Sequence, residues 1–416
     1  MKKAFSLLLV MGYCSVAFCQ NVGISTTKPT GKFHIKGTAD TTQLLIDAYS
    51  NQSNAKPIIK MRSSSGAEIM RIHADANNNT FVGGKAGFSL GINSSYNTAL
   101  GSEALYNNVS GNENTAIGQR ALYSSKYAGS NTVIGSSAAY SLTTGSHNVA
   151  IGTGAMFYAQ GSDLVAIGEE ALANNQVDST NQYAGTWNTA IGHTALSQNT
   201  VGSYNTATGF AALQNNSTGS SNTAYGSTAL WQNTTGLLNT CFGAEALYYN
   251  KTGVGNTAHG VGALYSTTAN NNTGTGRTAL YYNTTGYENT ADGNSALYNN
   301  NAGIYNTASG SFALYYNTGG NNNSASGRAA LYNTNTGSEN TGHGVSSLFY
   351  NTAGSYNTAI GLGAFTLPLV LLTIQRWVAG RGLTTILAGT TRWWVPTAML
   401  IPMASLMPLQ LVSLHR

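Results

Sequence analysis

Histidine and carboxylate side chains are the groups in this sequence of 416 residues that carry acid–base or metal-binding chemistry. His259 and His343 stand at the fourth position of two Asn-Thr-x-His-Gly segments, and Asp292 holds that position in a third. The two histidines are 84 residues apart, which is five units of the repeat described below, or roughly 24 Å at strand spacing. Asp292 lies two units from His259, about 10 Å away, too far for direct proton transfer. We therefore predict a protein that is not an enzyme, without catalytic residues, metal, cofactor or small-molecule substrate.

The charge distribution excludes two further classes of protein. Charged residues make up 8% of the sequence, with 19 lysines and arginines against 14 acidic residues. Six of the basic residues lie in the first 20 or the last 51 positions, so residues 21–365 hold 13 basic and 14 acidic side chains. This near-neutral body has no basic stripe, and we predict no nucleic-acid partner. Calcium-binding β-rolls need an aspartate in each repeat, which this sequence lacks.

The first 20 residues have the pattern of a secretory signal peptide. Lys2 and Lys3 form the positive end, residues 5–11 are apolar, and small residues occur at 15–17. Export to the cell surface or the extracellular space is the expectation. Removal of this leader would leave Cys241 as the single cysteine, so no disulfide within the chain is expected.

An internal repeat organises residues 79–365. The unit reads Asn-Thr-Ala-Ile-Gly-x-x-Ala-Leu-Tyr-x-Asn-x-x-Gly, and twelve of its 16 spacings are 17 residues. Its first position recurs at 79, 97, 114, 131, 148, 164, 188, 205, 222, 239, 256, 272, 289, 306, 323, 340 and 357. Residues 21–78, which precede the first copy, are predicted to form an N-terminal β cap, because a solenoid needs its first rung covered.

The columns of the repeat predict a fold. Position five is Gly in every copy, position three is small in nearly every copy, and position eight is Ala except at Ser347. Glycine suits a tight turn or a close backbone approach, and stacked asparagines at position one can form a ladder. Two short strands per unit, near Thr-Ala-Ile and Ala-Leu-Tyr, would pair with the units above and below. We predict an all-β parallel β-roll or β-helix solenoid of about 17 short coils, roughly 80 Å long. A helical repeat would lose about 1 kcal/mol at each interior glycine.

The Ala-Leu-Tyr segment also predicts oligomerisation. In a strand, Ala and Tyr would face one side and Leu the other, so both faces would be apolar. Strands with two apolar faces are usually covered on both. One face closes the thin core of the coil and the other needs a partner, which predicts a homotrimer.

The repeat resembles a known family. Its Asn-Thr-Ala-Ile-Gly-x-x-Ala-Leu pattern, clear from Asn114 and again from Asn357, is similar to the head repeat of YadA-like trimeric autotransporter adhesins. The resemblance covers residues 79–365 and implies a left-handed parallel β-roll with three chains side by side. The period is longer here than in the usual adhesin repeat. Residues 21–35 resemble the opening of tail-fibre-like exported proteins, which commonly end in a self-cleaving intramolecular chaperone.

Two functions are therefore expected in order of preference. The first is an exported structural or adhesive surface fibre with adhesin-head-like repeats. The alternative is a tail-fibre-type protein that has lost a C-terminal self-cleaving chaperone domain. A third possibility, an ice-binding solenoid, needs regular Thr-x-Thr ranks, whereas Thr206-Ala207-Thr208 and Thr273-Gly274-Thr275 are isolated examples.

The fourth column carries the candidate ligand-contact strip. It is Ile in most early copies and then varies while the surrounding columns stay constant, which is typical of an exposed strip. A host matrix protein or a glycan is the predicted partner, and a solvent face that tolerates any residue is the alternative. The tyrosine column is predicted to pack within the rod, with stacking on sugars as the alternative. The strip consists of Thr208, Tyr225, Phe242, His259, Thr275, Asp292, Ser309, Ser326 and His343.

Residues 366–416 have a different composition, rich in Leu, Trp, Arg and Pro. Arg376 and Arg381 interrupt the first apolar run, which disfavours a membrane anchor. When each codon is read one base earlier, Trp377-Val378 and Trp394-Val395 must encode glycine, and a third glycine is permitted at 412. These positions continue Gly361 at steps of 17 residues. We expect this segment to be a frameshifted tail without a native fold.

Overall fold

The computed structural model describes residues 22–24, 33–35, 57–74, 78–91, 93–177, 184–365 and 377–378, and these form two units. The first unit, residues 1–52, contributes one parallel pair in which β1 (Val22–Ile24) lies beside β2 (Phe33–Ile35). The predicted signal peptide and much of the predicted N-terminal β cap lie outside the described residues. A search of the described residues finds no helix long and apolar enough to cross a membrane.

The second unit opens with two antiparallel strands that precede the strand of the first coil, β5. β3 (Ile59–Arg62) pairs with β4 (Glu68–Ala74), which pairs with β5 (Thr80–Val82). Burial raises the pKa of Glu68, but hydrogen bonds from Arg71, the Lys85 N–H and Lys60 outweigh it and lower that pKa to about 2. The carboxylate therefore ties the cap to the first coil through charge-assisted bonds of 2.6–3.0 Å.

Seventeen strands of three residues, β5 to β21 (Thr358–Ile360), then form one parallel sheet, in which each strand pairs in register with the strand one coil away. This confirms the predicted all-β solenoid. The intervening strands are β6 (Thr98–Leu100), β7 (Thr115–Ile117), β8 (Thr132–Ile134), β9 (Val149–Ile151), β10 (Val165–Ile167), β11 (Thr189–Ile191), β12 (Thr206–Thr208), β13 (Thr223–Tyr225), β14 (Thr240–Phe242), β15 (Thr257–His259), β16 (Thr273–Thr275), β17 (Thr290–Asp292), β18 (Thr307–Ser309), β19 (Ser324–Ser326) and β20 (Thr341–His343).

One short strand of the predicted frameshifted tail is described. β22 (Trp377–Val378) pairs parallel with β21, Trp377 opposite Ala359 and Val378 opposite Ile360. The remainder of that segment lies outside the described residues. Its assignment as a frameshifted tail stays a prediction.

The prediction of a second strand at Ala-Leu-Tyr was wrong. The leucine of this segment has a left-handed backbone, with φ of 52° at Leu105 and 55° at Leu247, so the chain turns where a strand would extend. Its amides still bond from coil to coil: the Leu105 N–H donates to the Ala121 carbonyl at 2.9 Å, and the Asn107 N–H to Tyr123 at 3.0 Å. These bonds satisfy the backbone of the turn and so stabilise a conformation that is costly for leucine.

The core is a thin seam between the strand and this turn. The alanines at positions three and eight and the leucine at position nine are fully buried, as Ala258, Ala263 and Leu264 illustrate. The two walls nearly touch, because a Cβ added to Gly274 would lie 3.2 Å from Leu264 Cγ. Small side chains are therefore required on both walls, as the sequence predicted.

Two buried asparagine ladders run along the stack. In the predicted ladder at position one, the Asn239 N–H donates to Asn222 Oδ1 at 3.0 Å, and its Nδ2 donates to Gly253 O at 2.8 Å. The second ladder, at position twelve, was not predicted; Asn216 Nδ2 donates to Asn199 Oδ1 at 2.7 Å. Each such buried bond contributes about 1 kcal/mol, and loss of one partner costs about 1–3 kcal/mol. A shift in register between neighbouring coils would break these hydrogen bonds, so the ladders stabilise the observed register.

The glycine of position five is required by both conformation and space. Gly226 has φ of 139°, and an added Cβ would lie 2.6 Å from the carbonyl carbon and oxygen of Gly243 in the next coil. No side chain fits between these backbones.

We expect Gly226→Ala to destabilise the solenoid by roughly 3 kcal/mol, because it combines backbone strain with a clash between coils. The urea midpoint followed by circular dichroism measures this effect. Gly319→Ala is the matched control, since nothing lies within 4 Å of its Cβ position, and it should change stability by less than about 0.5 kcal/mol. Equal midpoints for the two variants would contradict the close coil contact.

Candidate functional site

The groups with acid–base or metal-binding chemistry remain apart. His259, Asp292 and His343 end β15, β17 and β20, and five register steps separate the two histidines. Among the described residues, no three His, Cys, Asp or Glu side chains converge to hold a metal ion. Cys241 is free and buried in β14, where burial raises the pKa of its thiol to about 12. A thiol in that state is a small apolar side chain of the core.

The structure brings all nine residues of the candidate strip into one column. They are the last residues of β12 to β20, each directly opposite the next. The column faces outward, with Tyr225 57% and Phe242 43% exposed. Phe242 contacts Tyr225 at a centroid distance of 6.0 Å and His259 at 5.1 Å, so these three rings form a small exposed aromatic cluster. Ligand contact by the strip stays a prediction.

The same column is apolar nearer the cap. We call these six residues the isoleucine ridge: Leu100, Ile117, Ile134, Ile151, Ile167 and Ile191. All are half-buried or exposed, from 36% at Ile167 to 48% at Leu100 among the exposed members. Their strands are in register, so the side chains form one uninterrupted apolar line on the outer face of the sheet.

The tenth column stacks its aromatic rings into two ladders. Successive centroids in both are 4.7–5.3 Å apart and successive planes differ by 3–26°. Each pair contributes about 0.5–1.5 kcal/mol beyond its burial. Ala173, Ser197 and Gln214 separate the two ladders. The short ladder is Phe88, Tyr106, Tyr123, Tyr140 and Phe157; the long ladder is Trp231, Tyr248, Tyr265, Tyr281, Tyr298, Tyr315, Tyr332 and Phe349.

A second set of tyrosines lies on the long ladder. Tyr249, Tyr282, Tyr316 and Tyr350, here called the flat tyrosines, each follow a ladder residue in every second coil. The Tyr249 ring is 4.8 Å from Tyr248 and 5.2 Å from Tyr265, at 73° and 86° to them. Tyr248 and Tyr265 already stack face to face, so only their edges are open to Tyr249.

This geometry fixes the orientation of Tyr249, Tyr282 and Tyr316, each of which lies across two stacked rings, and Tyr350 lies across Phe349 at 75°. A ring perpendicular to both stacked rings, and about 5 Å from each, receives their edges on its face. Its opposite face is therefore turned to solvent, consistent with exposures of 41–48% for the four residues. The flat tyrosines are four aromatic platforms on a straight aromatic support.

Sequence reasoning missed these platforms because it treated the eleventh position as variable. A signal for them is present in the doublets Tyr248-Tyr249, Tyr281-Tyr282, Tyr315-Tyr316 and Phe349-Tyr350, which recur every second coil. The predicted packing of the tyrosine column within the rod applies to the ladder tyrosines and not to these neighbours.

Comparisons with known proteins add no family to this description. No protein-family model matches the sequence, and searches of curated proteins and of solved structures return no match.

We expect the stacking of the long ladder to be lost at alkaline pH, when its tyrosines ionise. Burial, followed by the neighbouring Tyr249 and its hydrogen bond, raises the pKa of Tyr265 from 10.0 to about 12. Because the folded pKa exceeds the unfolded one, the resulting stability is complete below pH 10 and is lost as pH rises towards about 12. Tyrosinate absorbance and circular dichroism, recorded together through this range, follow the loss.

Tyr249→Phe should move that transition to lower pH, because it removes the hydroxyl that raises the pKa of Tyr265. Tyr204→Phe is the control, since Tyr204 is exposed and stacks on Trp187 away from the ladder. The prediction fails if both variants titrate like the unaltered protein.

Proposed function

We propose that the chain is a structural and adhesive fibre exported to the cell surface. The observation that carries this proposal is the continuous in-register stack from β5 to β21, bonded from coil to coil along both walls. Such a stack is stiff along its length and presents each outer column as a line of side chains. The leader-like residues 1–20 and the similarity of the repeat to adhesin heads support the same conclusion.

The outer surface is suited to attachment by many weak contacts. Both the exposed aromatic cluster on the strand face and the flat tyrosines repeat at the coil step or a multiple of it. A ligand of extended shape could engage several such groups at once, and linked contacts raise affinity far above that of any one. This arrangement supports the proposed adhesion to a host matrix protein or a glycan.

The homotrimer is part of the proposal, now on different grounds. The Ala-Leu-Tyr segment no longer requires a partner, because its Ala and Leu are buried within the chain. The isoleucine ridge is an apolar line six coils long on the outer face of the sheet. Three copies related by a threefold axis would cover these ridges together, which removes apolar surface from water at about 25 cal/mol per Å².

Antibodies against residues 79–365 should label intact cells that express the full chain, because the proposal places the rod outside the cell. The same cells should attach to surfaces coated with matrix glycoprotein at least about tenfold more than cells without the gene, through multivalent contact. Labelling that requires cell lysis contradicts export. Labelled cells that attach no better than the control contradict adhesion.

We expect the purified chain to sediment at three times its own mass. Ile134→Asn combined with Ile151→Asn should give the mass of one chain, because two amides would interrupt the centre of the ridge. Ser309→Asn combined with Ser326→Asn is the control, since it makes the same side chain in the same column beyond the ridge. A monomeric unaltered chain, or a trimer that survives the isoleucine substitutions, would exclude this interface.

A further inference from the structure

The flat tyrosines have a spacing that suggests a particular ligand. Steps along the long ladder measure 4.7–5.3 Å, so platforms two coils apart are separated by roughly 10 Å. From Tyr265 to Phe349 successive ladder planes differ by only 3–12°, so the row is nearly straight. A straight row of flat rings at a fixed interval fits an extended polymer with the same repeat.

The residues between the platforms are short and polar. Ser266, Asn299 and Asn333 occupy the eleventh position in the intervening coils, all half-buried. The amide nitrogens of Asn299 and Asn333 donate to the carbonyls of Tyr315 and Phe349, at 3.1 and 3.0 Å. Each amide is thereby held in place, with a carbonyl oxygen of the kind that accepts a bond from a hydroxyl group.

The row has few charged neighbours, and the Glu245 carboxylate acts on the ladder tyrosines at one end of it. Two residues after each flat tyrosine come Lys251, Thr284, Thr318 and Thr352, so three of the four positions offer a hydroxyl. Aromatic faces beside hydroxyl and amide groups suit a neutral ligand that has both C–H faces and hydroxyl edges. A charged lipid surface or an acidic polymer would find only one cation here.

Extended β-1,4-linked polysaccharides have these properties. Successive sugars in such a chain are turned by half a turn, so the same ring face and the same edge recur every second sugar. The C–H groups of a pyranose face carry partial positive charge and stack on the negative face of an aromatic ring. One sugar per coil would place every second ring on a flat tyrosine and each intervening sugar beside Ser266, Asn299 or Asn333.

We propose that the flat tyrosines bind a single extended β-1,4-linked polysaccharide chain, aligned with the long axis of the fibre. This inference rests on the proposed adhesive function and specifies its ligand. The row uses a different face of the coil from the isoleucine ridge, so assembly and ligand binding are separable.

The test is retention of the full-length protein on microcrystalline cellulose and on chitin, with granular starch as the α-linked control. The unaltered protein should bind at least one of the two β-1,4 polymers and not starch. Comparison of cellulose with chitin distinguishes plain hydroxyl from N-acetyl substituents. A fourfold Tyr→Asn variant of the flat tyrosines should lose affinity by at least about 100-fold, because four linked contacts disappear together.

The matched control is a fourfold Tyr→Asn variant at Tyr96, Tyr204, Tyr305 and Tyr356. These residues are exposed to a similar or greater extent, 46–61% against 41–48%, but lie in the turn before position one. Asn already occurs in other coils at both positions, as Asn299 and Asn322 show, so both variants should keep the dichroism spectrum of the fold. This control should bind the polymer as the unaltered protein does.

Three results would overturn the inference: no retention on either β-1,4 polymer, equal retention of the two fourfold variants, or a changed oligomeric mass in the flat-tyrosine variant. The third would make the row an interface between copies. If surface-labelled cells attach to matrix glycoprotein while the purified chain ignores both polymers, the adhesive function stands and only the polysaccharide is excluded. Attachment that fails on every surface would remove the adhesive function itself.

Discussion

Each coil of this protein is hydrogen-bonded to the coils above and below it. This stacking of equivalent residues, one coil step apart, constrains every other feature of the structure. The backbone groups of the strand and of the turn both donate and accept hydrogen bonds along the long axis. A coil therefore fits into the stack only if its backbone superimposes on those of its neighbours. The close approach of Gly226 to Gly243 leaves no room for even a methyl group. A residue is therefore selected for its fit to a column as well as for its local conformational preference.

The same constraint explains why polar side chains can occupy the interior. A single buried asparagine would leave donors and acceptors unsatisfied at a cost of several kcal/mol. In a column, the Oδ1 of Asn222 accepts from Asn239 while the Nδ2 of Asn239 reaches a backbone carbonyl, and the pattern repeats in the next coil. Where the second ladder meets threonine, Asn283 donates to Thr267 Oγ1 at 3.2 Å. Register is thus encoded by hydrogen bonds as well as by burial.

The repeat made the fold predictable, because a column present in every copy reports directly on a requirement of the stack. Invariant Gly, buried Ala and the position-one Asn ladder all followed from that logic. The turn at Ala-Leu-Tyr did not, because leucine disfavours a left-handed backbone and the compensating bonds come from adjacent coils. The position-twelve ladder and the flat tyrosines were missed for a related reason: their roles depend on which side chains meet between coils, which spacing along one chain does not reveal.

The constraint also determines where this solenoid can vary. Positions that face the seam or the neighbouring backbone are fixed, whereas the last strand residue and the eleventh position project outward and change from coil to coil. Variation at these two positions leaves the coil-to-coil bonds intact, so surface chemistry can change without loss of stability. A flat tyrosine in every second coil is such a change: the ladder beneath it supplies the support, and its absence from the alternate coils sets the repeat at roughly twice the strand spacing. The spacing of the flat tyrosines along the surface is therefore a multiple of the coil step, and the proposed extended ligand would need a repeat that matches this multiple.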